Sequence, residues 1–536
     1  MSDIPDPGAP PVDNTFHIYD SYTSDPPYQV AFTIVWTVFT AVCVLFTFPK
    51  LFRTVRNGRA WQSWKGIWED VYGNAYKPLH ESVAFFVILA GYLAALFVCI
   101  FLKSPIVTSP NRAGFLSLAQ LPAIFLFATK NGVLSVLLGK GYEKLNFLHR
   151  WGGRFLFVSA TIHGSLWIRN DLVGGTPIIG SQKETLGIAA YGILGIIVLS
   201  SLPIVRKMAY QAFFVIHVLG YVGFFVVICY HTLYAVPWIF PPLAFYGLDL
   251  FVRMIRFRIK DAILVPPDNH MTLVHIQNCD SGWVGGQHVR LRVFFSGRLF
   301  ESHPFTILNA PAPISCVSSG ELILAAKVSG DWTRALNEAA RREEKTCRMS
   351  VMMDGPYGGS TVDIGEYESA LLISGGSGAT FTLGLLDDIV GRVVNAKRKG
   401  GERTKRVEFA WCIKSFGSIS WFSPMLLDIA NKVQGSSLEL HIQIFVTCLC
   451  DPEAVPVIPN CDVTIEKPNV AHLLEPFLTQ RTDVEASARG GDGGVAVAVS
   501  GPESLTSEAQ NVIARVSAAR TRKMGGLALH TEIFSL

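Results

Sequence analysis

The stretch GYEKLNFLHRWGGRFLFVSATIHGSLW (141–167) sets His149 and His163 fourteen residues apart inside an apolar run. At about 100° and 1.5 Å per residue, that step is nearly four helical turns and roughly 21 Å of rise. A second run, YQAFFVIHVLGYVGFFVVICYH (210–231), repeats the spacing with His217 and His231. Each pair therefore shares one helix face, at two depths about a membrane leaflet apart. With both helices running the same way, His149 opposes His217 and His163 opposes His231. Two imidazoles opposed at one depth supply both axial positions of a haem iron. A single intramembrane histidine reads equally well as a polar group that has found a hydrogen-bonding partner. Four at two matched depths predict two b-type haems. Phe157 and Phe224 fall about midway between the levels, where they either flank the haems or serve ordinary bundle packing. Arg150 and Arg154 suit haem propionates, and suit positive-inside anchoring equally.

Outward from these runs, seven apolar stretches of about spanning length can be drawn. They lie at 31–49, 82–102, 113–129, 148–168, 187–205, 209–231 and 238–255, the last interrupted by Pro241, Pro242 and Asp249. Residues 1–30 carry no Lys or Arg, whereas Lys50, Arg53, Arg56, Arg59, Lys65 and Lys77 follow the first stretch. Positive charge stays cytoplasmic, so the N-terminus is expected outside. Lys130, Lys140 and Lys144 follow the third stretch, Arg206 and Lys207 the fifth, and Arg253, Arg256, Arg258 and Lys260 the seventh. The outer connections carry Lys103 and Arg112, then Arg169 and Lys183, then none. Seven spans put the C-terminal half in the cytoplasm; six would not.

A chain of 536 residues predicts two or three units. Its net charge of +4, without a basic stripe interleaved with aromatics, argues against nucleic acid as a partner. The ten cysteines are scattered with no CxxC, and Cys448 and Cys450 lack a second pair, so no zinc site is expected. Free thiols suit reducing cytosol. The acidic, Pro-rich N-terminus lacks a basic n-region, so no cleaved signal is expected. Asp3, Asp6, Asp13, Asp20 and Asp25, with His17, read as a solvated tail rather than a cation trap.

From about 262 the pattern becomes short β-type runs separated by Gly and Pro, such as Val289–Phe295 and Glu321–Val328, which predicts a small barrel or sheet. After about 366, strand-like runs such as Ala370–Ser374 and Val407–Trp411 alternate with helical stretches, the signature of a nucleotide-binding α/β domain. The turn Gly375-Gly376-Ser377-Gly378 follows a strand and opens an apolar helix, so its backbone N–H groups suit a pyrophosphate.

Taken with 141–167 and its partner span, the segments HPFTIL (303–308), VSGDWTRAL (328–336), DGPYGG (354–359), ISGGSGAT (373–380) and SGP (500–502) form an ordered set. Over roughly 80–536 the chain resembles fungal-type ferric reductases, in the superfamily shared by NADPH oxidases and ferredoxin reductases. The resemblance implies a multi-pass α-helical membrane domain of about seven spans holding two haems. A cytosolic ferredoxin-reductase-like β-barrel FAD domain and an α/β NADPH domain would follow. The expected divisions are a tail at 1–30, the haem domain at 31–258, the FAD domain at 259–365 and the NAD(P)H domain at 366–536. His303, Pro304, Phe305 and Thr306 match the flavin segment, with Thr306 near the reactive edge. Gly330, Trp332 and Thr333 match the segment that approaches the FAD pyrophosphate. Gly355, Pro356, Tyr357 and Gly358 match a loop near the nicotinamide end, and Gly375, Gly376 and Gly378 match the NADPH phosphate turn. Lys467 stands where the family has an Arg that reads the 2′-phosphate, keeping the charge without the bidentate fork.

Other departures are specific. Ser500, ahead of Gly501 and Pro502, replaces a cysteine beside the nicotinamide. The chain ends EIFSL, so Phe534 comes two residues early and Leu536 takes the place of an aromatic that covers the flavin. Leu250 replaces an Arg, and 483–494 is a Gly/Ala-rich insertion. The implied path runs from NADPH to FAD, then one electron at a time through His149/His217 and His163/His231. It ends outside on a ferric chelate, a siderophore or Cu²⁺, in support of iron uptake. The protein would sit among the lipids of the plasma membrane or an internal one. The competing readings are a superoxide-generating NADPH oxidase and a haem-binding membrane protein with degenerate nucleotide chemistry.

Overall fold

Long apolar runs with few breaks give helices in the first half, and alternating short runs give strands in the second. The structure, a computed structural model, describes residues 19–55, 78–132, 134, 141–295, 298, 301–317, 320–343, 347–394, 402–448, 456–479 and 493–534. Asp3, Asp6, Asp13, His17, Arg56, Arg59, Lys65, Lys77, Lys140, Cys450, Leu536 and most of the 483–494 insertion lie outside the described residues. The chain divides into two units.

Among the described residues, the first unit is carried by seven long helices, one over each apolar stretch. They are α1 (Pro26–Val55), α2 (Pro78–Phe101), α3 (Asn111–Ala128), α4 (Tyr142–Gly174), α5 (Gln182–Ser200), α6 (Tyr210–His231) and α7 (Val236–Arg256). By length and composition, Gln182–Ser200, Tyr210–His231 and Leu233–Arg256 are each sufficient to cross a membrane. Pro241 and Pro242 do not break α7, as membrane helices tolerate proline where neighbours satisfy the freed groups. Asp249, buried within it, accepts from the Asn131 backbone N–H at 2.7 Å and from Asn131 Nδ2 at 3.0 Å. The fifth stretch stops at Ser200 rather than 205. Pro203 drives Leu202 into an extended conformation (ψ 145°) and starts a separate short helix, Pro203–Met208.

One expectation about charge is corrected. Arg112 is not an outer-loop cation, and Asp25 is not part of a solvated tail. Arg112 lies in the first turn of α3, 1% exposed, with its Nε 2.5 Å from Oδ1 of the fully buried Asp25. Its other nitrogens donate to Tyr19 Oη (2.7 Å) and to the Cys99 carbonyl (3.2 Å), and its guanidinium lies over the Tyr28 ring at 3.5 Å. A cation removed from water needs such partners.

The second unit joins two sheets. Strands β1 (Arg258–Val265), β2 (Met271–Gln277), β3 (Gln287–Val293), β4 (His303–Thr306), β5 (Glu321–Lys327) and β6 (Cys347–Gly358) pair antiparallel in the order β4-β3-β6-β1-β2-β5. A bridge between Ile307 and Leu324 brings the ends together into a barrel, and helix α8 (Asp331–Arg342) packs on its core. The α/β part holds β7 (Ser369–Gly375), α9 (Ala379–Val394), β8 (Arg406–Ile413), α10 (Ser423–Val433), β9 (Glu439–Val446), β10 (Cys461–Thr464), α11 (Val470–Thr479), β11 (Val495–Gly501), α12 (Glu503–Arg515) and β12 (Leu527–Ile533). Its strands are parallel in the order β10-β9-β8-β7-β11-β12. The runs LLIS and VAVAVSG are buried throughout, as strands covered by helices on both faces require. The order reverses between β7 and β11, and that crevice is where doubly wound sheets bind their ligands.

Candidate functional site

The structure brings the four histidines together in two pairs. The His149 and His217 ring centroids are 6.1 Å apart, and those of His163 and His231 are 6.4 Å apart. With metal–imidazole bonds of roughly 2 Å on opposite sides of one ion, two ring centroids fall about 6 Å apart. Every Nδ1 is tied. His149 Nδ1 meets the Ile124 carbonyl at 2.9 Å, His163 the Pro110 carbonyl at 3.0 Å, and His231 the Lys183 carbonyl at 2.8 Å. His217 Nδ1 lies 3.1 Å from Ser201 Oγ. A hydrogen bond at one ring nitrogen fixes the tautomer and leaves Nε2 as the ligand. The residues present therefore fit bis-imidazole iron at two levels.

Two glycines seat the His163/His231 pair. A Cβ added at Gly114 of α3 would fall 2.9 Å from His163 Cε1, and one at Gly187 of α5 would fall 2.8 Å from His231 Cε1. Each ring thus lies directly against a neighbouring helix backbone. Gly187→Val is expected to displace the His231 ring and to lower any haem bound there, read as the pyridine-haemochrome-to-protein ratio. Between the levels, Phe157 stacks on Tyr191 at 5.4 Å and Phe224 is buried in the apolar cluster with Leu121, Leu156 and Ile239. Arg154 lies over the Trp151 ring at 4.5 Å.

In the barrel, HPFT forms β4 and places its rings around Trp332. His303 lies 4.6 Å and Phe305 5.8 Å from it, centroid to centroid. Trp332 Nε1 and His303 Nε2 are buried without hydrogen-bond partners among the described residues; the nearest carboxylate, Glu301, stands 3.6 Å from His303. Burial pushes the His303 imidazole below its usual pKa, with the Glu301 carboxylate pulling the other way. Such orphaned polar atoms are costly unless a bound group completes them. Gly330 caps α8, and the Thr333 hydroxyl accepts from the Ser329 and Gly330 N–H groups at 2.9 and 3.1 Å. An added Cβ at Gly330 would meet nothing, leaving a helix N-terminus open to a phosphate. Thr306 ends β4 opposite His288. On the loop closing β6, the Tyr357 hydroxyl donates to Asp354, Arg256 donates to the Pro356 carbonyl at 2.8 Å, and Gly355 and Gly358 hold φ of 138° and 63°.

At the switch point, Gly376 takes φ +56° with open space above it, and the Trp411 indole donates to its carbonyl at 3.0 Å. Gly378 lets α9 approach β11 so closely that a Cβ would fall 2.5 Å from the Ser500 carbonyl oxygen, and Gly375 abuts Pro502. Ser500 is fully buried, and its hydroxyl has no hydrogen-bond partner among the described residues. The Phe534 N–H donates to the Gly501 carbonyl at 3.0 Å, which ties that aromatic to the same corner. Lys467 is exposed; burial pushes the Cys412 thiol up while the Lys467 charge opposes it, so both lie at the C-terminal edge of the sheet. Asp387 of α9 accepts from the Ala310 N–H, Ser315 Oγ and Cys316 N–H, each at 2.7 Å. It pins the segment after β4 to the nucleotide half, and burial raises its carboxyl pKa against those donors.

Sequence reading missed the acceptors Ile124, Pro110, Lys183 and Ser201, the seats Gly114 and Gly187, and Asp387. The two glycines at the His163/His231 level were visible as residue types, but their partners were not.

Comparison with known proteins agrees with this organisation. "Ferric reductase like transmembrane component" matches residues 113–228, "FAD-binding domain" matches 254–361, and "Ferric reductase NAD binding domain" matches 367–514. Ferric/cupric reductase transmembrane component 2 of Saccharomyces cerevisiae is 26% identical over 341 residues, covering 62% of this chain and 46% of that protein. Ferric reductase transmembrane component 5 of the same yeast is 30% identical over 57% of this chain and 44% of its own length. Ferric reduction oxidase 8, mitochondrial, of Arabidopsis thaliana is 26% identical over 63% and 46%. The chain spans about half the length of these relatives. Three domain descriptions are thus met in order along one chain, a ferric-reductase-like transmembrane component followed by an FAD-binding domain and a ferric-reductase-type NAD-binding domain.

Proposed function

We propose that this chain is a metalloreductase that uses cytosolic NADPH to reduce ferric chelates, siderophores or Cu²⁺ on the far side of the membrane, in support of iron uptake. The observation that carries the reading is the pair of imidazole couples on α4 and α6, two levels apart, each with Nδ1 tied. Bound groups would supply the redox chemistry: flavin splits a two-electron donor into single-electron steps, and haem iron accepts and releases one at a time. The protein's own part is holding and excluding. His149 with His217 and His163 with His231 would hold two b-type haems. His303, Pro304, Phe305, Thr306 and Trp332 would line the flavin, and Gly330 and Thr333 its pyrophosphate. The Gly375–Gly378 turn and the α9 N-terminus would take the NADPH phosphates, with Lys467 on the 2′-phosphate. Ser500, Gly501, Pro502 and Phe534, with the 355–358 loop, would enclose the nicotinamide end. Seven spans with the N-terminus outside would leave the second unit in the cytoplasm, consistent with Arg253 and Arg256 ending α7. The relatives' names support the choice of metal acceptor.

The test uses intact cells expressing the chain. Reduction of a membrane-impermeant ferric chelate is expected to rise over cells lacking it, without matching oxygen uptake or superoxide. Superoxide with no metal reduction would instead make it an oxidase. Haem absorbance that NADPH does not bleach would assign it a binding role only.

A further inference from the structure

Three of the four histidines place Nδ1 against a peptide carbonyl, which no substitution can remove. His217 places its Nδ1 against a side chain, Ser201 Oγ, at 3.1 Å. Ser201 has one hydroxyl proton, and that proton is committed: Oγ donates to the Ile197 carbonyl at 2.6 Å. The oxygen can therefore only accept from His217, so Nδ1 carries the hydrogen and Nε2 keeps its lone pair. The reverse arrangement would put the proton on Nε2 and spoil it as a ligand. The hydroxyl is placed by the end of α5. The Ser201 N–H bonds the Ile197 and Val198 carbonyls at 3.2 and 3.1 Å, and Pro203 two residues on prevents the helix from carrying the side chain away. Close packing fixes the neighbouring helix, since a Cβ at Gly220 of α6 would fall 2.7 Å from Ile197 Cγ1. The result is a chain from the Nδ1 hydrogen through Oγ to a peptide carbonyl, in which each bond polarises the next.

We propose that Ser201 is the positioning residue of the His149/His217 level, holding His217 in its ligating tautomer and setting how readily that level accepts an electron. This rests on the haem reading above. An acceptor at Nδ1 makes the imidazole a stronger donor to iron and favours the oxidised metal. Removing it favours the reduced form at that level alone.

The experiment compares full-length wild type, Ser201→Ala, Ser201→Thr and His217→Ala in nanodiscs by optical redox titration and low-temperature EPR. Ser201→Ala is expected to keep both haems and to move one of the two titrating components by at least about threefold towards the reduced form. That is about 28 mV, at 59 mV per tenfold change for one electron. The low-spin EPR signal of the same component should change, and Ser201→Thr should restore both. Superimposable titrations for Ser201→Ala and wild type would overturn the assignment, as would an equal shift of both components. His217→Ala separates the two layers of inference: if it fails to remove one haem, the haem reading itself falls.

Discussion

Replacing His163 and His231 together by alanine is expected to leave about half of the haem absorbance and to bring ferric-chelate reduction by intact cells down to that of cells lacking the chain. Each level depends on two opposed rings, one from α4 and one from α6, so removing both leaves no axial ligand at that level. The surviving pair lies about 21 Å away along the helices, with apolar side chains such as Phe157 and Phe224 in between. The four rings and their Nδ1 partners all lie within residues 110–231, so NADPH-dependent reduction of a soluble dye by the same variant should persist. Unchanged chelate reduction in this variant would remove the His163/His231 level from the path.

The second large effect is expected at Asp25. Asp25→Ala leaves the Arg112 guanidinium buried at 1% exposure with carbonyls and one hydroxyl but no anion. Breaking one side of such a pair costs about 3–5 kcal/mol, whereas replacing both partners by apolar residues is often near neutral. Thermal unfolding of the purified protein should therefore show a large loss for Asp25→Ala. Much of the stability should return in Asp25→Leu combined with Arg112→Met. The same substitution should disturb the His163 level, because Arg112 sits two residues after Pro110, whose carbonyl receives His163 Nδ1. Asn111 between them is fastened to Ser21 Oγ at 2.8 Å and to the Trp167 indole at 3.0 Å. Equal instability of the single and double variants would show that the charges are not what matters there.

These two cases mark what was legible in the amino-acid order. The histidine levels follow from a fixed rise per residue along an unbroken apolar run, so arithmetic on two segments suffices. The α/β half is similarly local, with strand-like runs such as Ala370–Ser374 and a glycine turn at a strand end announcing a nucleotide-binding fold. The Asp25–Arg112 pair joins residues 87 apart, and Arg112 reads as a loop charge because it directly follows Pro110 and Asn111. Gly114 and Gly187 look like any small residue of an apolar helix until the opposing ring is known. Ser201 reads as one of several serines at a helix end; only the fold shows which ring it meets. Local periodicity fixes elements, whereas partners across a bundle depend on packing that no single segment encodes.

The seated rings have a consequence for assembly. An imidazole held at Nδ1 and pressed against a glycine has its rotamer settled when the helices pack, before any iron arrives. Immobilising a side chain on binding costs about 0.5–1.5 kcal/mol, and for the His163 and His231 rings that entropy is lost during folding. A group held between those two rings would meet side chains whose freedom is already restricted by packing.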